Sequence, residues 1–183
     1  AGAAQLEASK LFTKNLCAHA NIPTASYKDF IDVDSAKEFA GKIGVPLVVK
    51  ADGLAAGKGV TICHTLHEAE IAIEQAIGGK FGEAGKRIII EEYLDGEEVS
   101  VFALVNGLKV HWLESAQDHK RAGDGDTGPN TGGMGAYSPA PIITPSLKKT
   151  IKNKILIPTS KQIVEDVVPY AGILFAGLII KHG

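Results

Sequence analysis

The stretch that decides the fold is Val48-Val-Lys-Ala-Asp-Gly-Leu-Ala-Ala-Gly-Lys-Gly59, which connects two short β-branched strands. Its small residues allow backbone N–H groups to point at an anion, and Lys50 and Lys58 add positive charge. It differs from a P-loop, because only three residues separate Gly53 from Gly57 and a strand rather than a helix follows. The alternative interpretation is a flexible hairpin loop. We favour an anion site, because Lys50 ends a buried strand and a charge there needs a partner.

The flanking sequence predicts an α+β architecture, in which strand–helix–strand units are followed by hairpins. Asp34 is expected to cap the second helix, and Pro158 is expected to interrupt the last one. The dipeptides Asp95-Gly96 and Asn106-Gly107 predict two hairpin turns, and hence an antiparallel meander of three strands. The periodicity predicts helices over 6–19, 35–43, 66–77 and from 145 onwards, and strands over 26–31, 46–50, 60–63, 87–93, 97–105, 108–113 and 173–180.

Composition excludes several classes of protein. The 183 residues are 45% hydrophobic and 22% charged, which are ordinary values for a globular chain. A net charge of −2 and the lack of a long apolar run argue against nucleic-acid and membrane partners. The two cysteines, Cys17 and Cys63, form no disulfide framework, which favours a reducing, cytoplasmic setting. We expect a cytoplasmic monomer.

A second candidate segment runs from Ile88 to Glu98 and contains a buried strand that leads into paired carboxylates. Such a strand is costly unless something is bound beside it. A connection of this kind would offer backbone N–H and C=O groups to an adenine ring, and Glu98 could accept from two ribose hydroxyls. The alternative, a solvated hairpin rim, is the commoner reason for charges at a turn.

The third candidate segment, 117–141, is long, polar and rich in glycine. Its mixture of residue types is not repetitive, which favours a substrate-binding loop over a disordered one. A metal site at Cys63-His64 and His67 is disfavoured, because no second pair of ligands matches it. Thr65 is better explained as the cap of a helix, with Glu68 completing a capping box.

Taken together, these segments resemble the ATP-grasp ligases, and within them the glycinamide ribonucleotide synthetase (phosphoribosylamine–glycine ligase) family of purine biosynthesis. The most specific match is formed by residues 117–121 together with residues 126–139, because generic ATP-grasp enzymes lack it. The matching strings cover 4–10, 48–59, 90–98, 117–121 and 126–139.

The resemblance implies an ATP-grasp fold in which two α+β lobes clamp a nucleotide. Residues 1–22 would form a helix of the core lobe, 23–94 the small lobe with the glycine-rich phosphate loop, and 95–183 a larger, truncated lobe with the substrate loop. The chain resembles only the middle of the family's enzyme. An N-terminal domain, a strand after Gly183 with a Glu-x-Asn pair of metal ligands, and a C-terminal domain are therefore expected outside it.

The resemblance also implies a reaction, in which ATP, glycine and 5-phosphoribosylamine give glycinamide ribonucleotide, ADP and phosphate by way of glycyl phosphate. Mg²⁺ or Mn²⁺ would bridge the phosphates, with no metal ligand expected before Gly183, and this chain alone is expected to be inactive. Two alternatives stay open: an ATP-grasp ligase with other substrates, and a nucleotide-binding module without catalytic activity.

Residue roles follow from the same resemblance. Lys10 and Lys50 would hold phosphate oxygens, and Glu98 the ribose. Glu91, Glu92 and Leu94 would meet the adenine. The complete nucleotide-binding set is Lys10, Lys50, Gly53, Gly57, Lys58, Gly59, Glu91, Glu92, Leu94 and Glu98. The substrate-binding set is Asp118, Lys120, Arg121, Asn130, Thr131, Gly132 and Gly133, and the catalytic set is Lys50, Arg121 and Asp126.

Overall fold

The structure, a computed structural model, describes residues 2–55, 57–119, 121–125, 127–166 and 170–181. For Arg121, Pro129 and Asn130 it describes the backbone only. The chain divides into two compact units, residues 1–94 and 95–183. The assignment of the segments to the lobes of a nucleotide clamp stays a prediction.

The first unit is a four-stranded antiparallel sheet with helices, and its strand order is β1-β4-β2-β3. Short 3₁₀ turns cover Gly2–Ala4 and Gly82–Gly85, and a π-helical turn covers Ala76–Lys80. The other elements are α1 (Gln5–Ala8), α2 (Lys10–His19), β1 (Tyr27–Phe30), α3 (Val33–Ile43), β2 (Leu47–Ala51), β3 (Val60–Cys63), α4 (Leu66–Gln75) and β4 (Ile88–Glu92).

The hydrophobic core of this unit lies between one face of the sheet and the helices α3 and α4. Because side chains alternate along a strand, Ile88 and Ile90 of β4 join this core together with Leu47 and Val49 of β2. Ile89 is also fully buried, although it lies on the opposite face. Both faces of β4 are therefore covered, as the continuous apolar run in its sequence requires.

Helix caps fix the ends of α3 and α4. At α4 the Thr65–Glu68 capping box is present, which confirms that prediction. At α3 the predicted cap was wrong, because Asp32 rather than Asp34 accepts a hydrogen bond from the backbone N–H of Ser35, at 2.8 Å. Asp32 has the extended backbone of a cap, whereas Asp34 already lies in the first helical turn.

The second unit contains a three-stranded antiparallel sheet, of order β11-β5-β6, and a pair of helices joined by a π-helical turn. This irregular turn, Lys152–Leu156, ends two residues before Pro158, which has no N–H to donate within a helix. The elements are β5 (Glu97–Asn106), β6 (Lys109–Trp112), β7 (Gln117–Asp118), β8 (Arg121–Gly123), β9 (Thr127–Asn130), β10 (Ala136–Tyr137), α5 (Pro145–Ile151), α6 (Ile157–Asp166) and β11 (Ala171–Ile180).

Only one of the two predicted hairpins forms. β5 and β6 are joined at Asn106-Gly107, where Gly107 takes the positive φ of +56° that such a turn needs. β4 pairs with β1 and β2 instead of β5, so the predicted three-stranded meander is wrong. Gly96 serves a different purpose, because a Cβ there would collide with the carbonyl oxygen of Ile180. The glycine permits a close approach of two chain segments rather than a tight turn.

The segment 117–141 is more regular than a loop. β7 pairs with β10, and β8 pairs with β9, so two short antiparallel ladders are nested within it. The rings of His119 and Tyr137 lie 5.4 Å apart between centroids, and the Tyr137 hydroxyl donates to Gln117 Oε1 at 2.6 Å. These contacts bring the two ends of the segment together.

Cys63 gives a testable consequence of this core. Its thiol is fully buried, and the burial raises its pKa from 9.0 to about 11. Between these pH values the unfolded chain loses the proton and the folded chain keeps it, so the free energy of unfolding should fall as the pH rises from about 9 to about 11. Urea unfolding across this range, with Cys63→Ala as the control, measures the effect. If the free energy of unfolding of Cys63→Ala has the same pH dependence as that of the unaltered chain, the buried thiol is not the cause of the fall.

Candidate functional site

The register of the sheet places Lys50 and Glu91 on the same face. Val48 of β2 lies opposite Glu91 of β4, and Lys50 lies opposite Ile89. These positions alternate with the core residues Val49 and Ile90, so they point away from α3 and α4. The face that carries Lys50 and Glu91 is the one that side chains of α2, among them Lys10 and Lys14, also approach.

Glu91 is a buried carboxylate that binds two lysines. Its Oε2 accepts from Lys50 Nζ at 2.8 Å, and its Oε1 lies 3.2 Å from Lys14 Nζ. The side chains of Lys14 and Glu91 are 9% and 5% exposed, whereas Lys50 is 26% exposed. Such burial is tolerable because each charge has a partner at hydrogen-bond distance.

Lys14 has all three of its ammonium donors engaged. Besides Glu91, it donates to Thr24 Oγ1 at 2.8 Å and to the carbonyl oxygen of Ala25 at 3.0 Å. It also lies over the ring of Tyr27, 5.2 Å from the centroid. Burial lowers the pKa of Lys14 below 10.5, Lys50 lowers it further, and Glu91 opposes the shift.

Lys10 is bonded to the start of the glycine-rich loop. Its ammonium donates to the backbone carbonyls of Ala51, Asp52 and Gly53, at 2.7, 3.4 and 3.1 Å. Burial lowers the pKa of Lys10 as well. The predicted phosphate ligand thus has its three donors on backbone oxygens in this structure.

Asp52 connects the same loop to the beginning of α2. Its carboxylate accepts from the Leu11 backbone N–H at 2.7 Å and from the Ser9 hydroxyl at 3.0 and 3.2 Å. Ser9 in turn caps α2 by accepting from the Phe12 N–H at 3.0 Å. A negative charge at a helix N-terminus is favourable, so the loop and the helix hold each other in place.

The glycines of the loop have two different purposes. A Cβ at Gly53 would lie 2.8 Å from Ala84, and one at Gly59 would lie 2.7 Å from the Cβ of Ala55, so both permit close packing. Gly57 has open space around it and instead adopts a positive φ of +75°. Lys58 is exposed.

A pocket of about 180 Å³ lies where α2 faces the sheet. Among the lining residues, Lys10, Lys14 and Lys50 carry positive charge and Glu91 carries negative charge, whereas Asp52 and Glu7 act on Lys10 from outside the lining. Such a pocket favours an anion. Its lining consists of Leu6, Lys10, Thr13, Lys14, Thr24, Lys50 and Glu91.

The two remaining predicted residues of the first unit, Glu92 and Leu94, follow Glu91 closely in the sequence, but they do not line the pocket. Glu92 is bonded to Ser26, whose N–H donates to Glu92 Oε1 at 2.8 Å and whose carbonyl accepts from the Glu92 N–H at 3.1 Å. Leu94 is half-buried, and it ends the first unit.

The other predicted residues belong to the second unit. Glu98 lies on β5 opposite Ile179, and Asp118 lies on β7 opposite Ala136. Arg121 and Asn130 face each other across the β8–β9 ladder. The Thr131 hydroxyl accepts from the Gly133 N–H at 3.0 Å, and Gly132 is exposed. Lys120 and Asp126 lie outside the described residues.

Sequence reasoning missed Lys14, Thr24 and Asp52. Lys14 lies one helical turn after Lys10, so the two share a face of α2, and this spacing was the available signal. A buried lysine needs a carboxylate, and Glu91 of the buried strand β4 supplies it. For Thr24 no sequence signal exists, because its contact with Lys14 depends on the tertiary fold.

The described residues contain neither a membrane-spanning helix nor a cluster of metal ligands. No helix in that part of the chain is both long and apolar enough to cross a membrane. Within the same residues, no group of three or more His, Cys, Asp and Glu side chains is arranged to hold a metal ion.

Solved structures establish the class of fold. Phosphoribosylamine–glycine ligase from Thermotoga maritima superposes with a TM-score of 0.87 at 35% identity, over 96% of this chain and 45% of the other. Together with the sheet and its loop, this likeness defines an ATP-grasp fold.

Sequence comparison defines the family. A family described as phosphoribosylglycinamide synthetase, ATP-grasp (A) domain, matches residues 8–183, and this chain belongs to it. Phosphoribosylamine–glycine ligase of Rhizobium meliloti is 54% identical over the whole chain, and the chloroplastic enzyme of Arabidopsis thaliana is 56% identical over 98% of it. The chain spans 43% and 34% of these two relatives, respectively.

Replacement of Glu91 by Gln should leave Lys14 as a buried and uncompensated charge, and should cost about 3–5 kcal/mol of stability. The pKa of Lys14 should then fall further below its unfolded value of 10.5. Between the two pKa values the unfolded state binds more protons, so the free energy of unfolding of the variant should rise with pH. Urea unfolding at increasing pH should show the deficit shrinking towards pH 10.5.

The control for this prediction is the double variant Lys14→Met/Glu91→Gln, which removes the buried ammonium of Lys14 together with its partner and leaves only the more exposed Lys50, at 26% exposure, without Glu91. It should be more stable than Glu91→Gln near neutral pH and should lack the rise with pH. A deficit that is the same at every pH would show that the unpaired ammonium is not its cause.

Proposed function

We propose that this chain is the nucleotide-binding part of an ATP-dependent ligase that joins glycine to 5-phosphoribosylamine. The products would be glycinamide ribonucleotide, ADP and phosphate. The observation that carries the proposal is the cationic pocket beside the glycine-rich loop, at which Lys50 presents its ammonium group. The names of the relatives supply the reaction, because both curated relatives are phosphoribosylamine–glycine ligases.

Lys50 is suited to contact a phosphate. An ammonium group has three donors, and among the described residues Glu91 is the one acceptor to which Lys50 donates. Its remaining donors are available at the pocket, and its side chain is more exposed than that of Lys14. The γ- or β-phosphate of ATP is an anion of the appropriate chemistry, and the glycine-rich loop would add backbone N–H donors.

The reaction needs charge neutralisation more than it needs a nucleophile from the protein. A carboxylate is a poor electrophile, so glycine first attacks the γ-phosphorus to form glycyl phosphate and release ADP. The amine of phosphoribosylamine then attacks the acyl carbon and displaces phosphate. Both steps depend on positioning and on electrostatic stabilisation of phosphate charge. Mg²⁺ or Mn²⁺ would add to this neutralisation, and the described residues contain no group of three or more His, Cys, Asp and Glu side chains that would hold the ion by themselves.

The other predicted contacts stay part of this proposal. We assign Glu98 to the ribose, and Glu92 and Leu94 to the adenine through their backbones. Arg121 and Asp126 would act in catalysis. The candidates for glycine and phosphoribosylamine stay as predicted, namely Asp118, Lys120, Arg121, Asn130, Thr131, Gly132 and Gly133.

Two further parts of the proposal concern the state of the protein. A monomer is proposed. A cytoplasmic location is also proposed, although the Arabidopsis relative is chloroplastic by name. The chain alone should bind nucleotide weakly and should not turn over, because it spans less than half of its relatives.

Replacement of Lys50 by Met should weaken ATP binding by about 10- to 150-fold, which corresponds to a charge-assisted hydrogen bond of about 1.5–3 kcal/mol. Isothermal titration calorimetry with the 183-residue chain measures it. Lys42→Met is the matched control, because Lys42 lies exposed on α3 and pairs with Glu38. Equal affinities in the Lys50 and Lys42 variants would remove Lys50 from the nucleotide site.

A chimaera tests the whole reaction. The segment of the Rhizobium meliloti relative that matches this chain would be exchanged for this chain, which aligns with it over its whole length. The chimaera should release ADP only when both glycine and phosphoribosylamine are present. Arg121→Ala in the chimaera should raise the KM for phosphoribosylamine and leave the KM for ATP almost unchanged.

The same assay separates the two alternatives. ADP release that requires a different acid or amine would favour an ATP-grasp ligase with other substrates. ATP binding by the chain without any turnover in a folded chimaera would favour a nucleotide-binding module without catalytic activity.

A further inference from the structure

We propose that Lys14 is a positioning residue, which fixes the Lys50 ammonium at the pocket by holding Glu91, the carboxylate that both lysines share. This inference rests on the proposed nucleotide site, and it assigns a role within it to a residue that the sequence analysis did not single out.

The first argument is a count of donors. Lys14 donates to Thr24 Oγ1, to the Ala25 carbonyl and to Glu91 Oε1, so no N–H of its ammonium is left for a ligand. Lys50, in contrast, donates only to Glu91 within the part of the chain that the structure describes. The two lysines that share the Glu91 carboxylate therefore differ in role. Lys14 makes only internal contacts, whereas Lys50 is the more exposed and has donors left for a ligand.

The second argument is rigidity. The carboxylate of Glu91 is buried, and each of its oxygens has one lysine partner. Lys14 is itself fastened to the backbone at Ala25 and to Thr24. The contacts form a chain that runs from the backbone through Lys14 and Glu91 to Lys50, and its last member is the least buried. A lysine has four rotatable bonds, so an anchor of this kind reduces the entropy that Lys50 loses when it meets an anion.

The third argument is that direct attraction by Lys14 predicts a different result. A positive charge near the pocket attracts phosphate whether or not Lys50 is present, so its removal would weaken ATP binding equally in both backgrounds. A positioning residue acts through Lys50, so its removal matters only when Lys50 is there. A double-mutant cycle separates these possibilities.

The experiment measures ATP affinity by calorimetry for the 183-residue chain and for its variants Lys14→Met, Lys50→Met and Lys14→Met/Lys50→Met. We expect Lys14→Met to weaken binding by about three- to thirtyfold, and to have less than about a twofold effect once Lys50 is Met. An equal loss in both backgrounds, or no loss in the first, would overturn the proposal.

A second variant covers the case in which Lys14→Met does not fold. Thr24 is exposed, and Thr24→Val keeps every charge while it removes one acceptor of Lys14. It should weaken ATP binding by about two- to fivefold with Lys50 present and have no effect in the Lys50→Met background. The same loss in both backgrounds, or none with Lys50 present, would overturn the proposal. If the unaltered chain binds no ATP, that result counts against the proposed nucleotide site itself. It can be distinguished from the outcomes above, which all compare variants with an unaltered chain that does bind ATP.

Discussion

The ion pairs at the Glu91 carboxylate are the constraint on which the first unit depends. A carboxylate buried at the end of an apolar strand is unfavourable without partners, and here two lysines from different elements supply them. Lys14 connects α2 to the sheet, and Lys50 connects β2 to β4. The same contacts that make the burial of Glu91 possible thus bring two of the three lysines of the pocket, Lys14 and Lys50, to one face of the sheet.

The glycine-rich loop is held both by contacts with the start of α2 and by close packing of its own glycines. Lys10 binds three successive carbonyls at its beginning, and Asp52 binds the start of α2. The close packing at Gly53 and Gly59 sets both ends of the loop against alanines. Stability and function therefore overlap in this region, because residues that would face a phosphate are adjacent to residues that only support the backbone.

Local patterns predicted what depends on local chemistry. The capping box at Thr65, the Asn106-Gly107 turn and the burial of the Ile88–Ile90 run follow from neighbouring residues, and the structure has all three. The pairing of β4 could not be predicted from Asp95-Gly96, since the same dipeptide serves a turn or a close contact. The roles of Lys14 and Asp52 depend on partners more than 40 residues away, which a single sequence does not identify.

The long β5–β11 ladder has a consequence for protein engineering. Glu97 at the start of β5 lies directly opposite Ile180 at the end of β11, and Gly96 touches the Ile180 carbonyl closely enough to exclude a side chain. Paired residues in an antiparallel sheet are about 5 Å apart, so a linker of one or two residues would span the gap. Residues 97–180 therefore form a segment with adjacent ends, which could be excised, or exchanged for the matching segment of a relative with both junctions at the same end of the β5–β11 ladder.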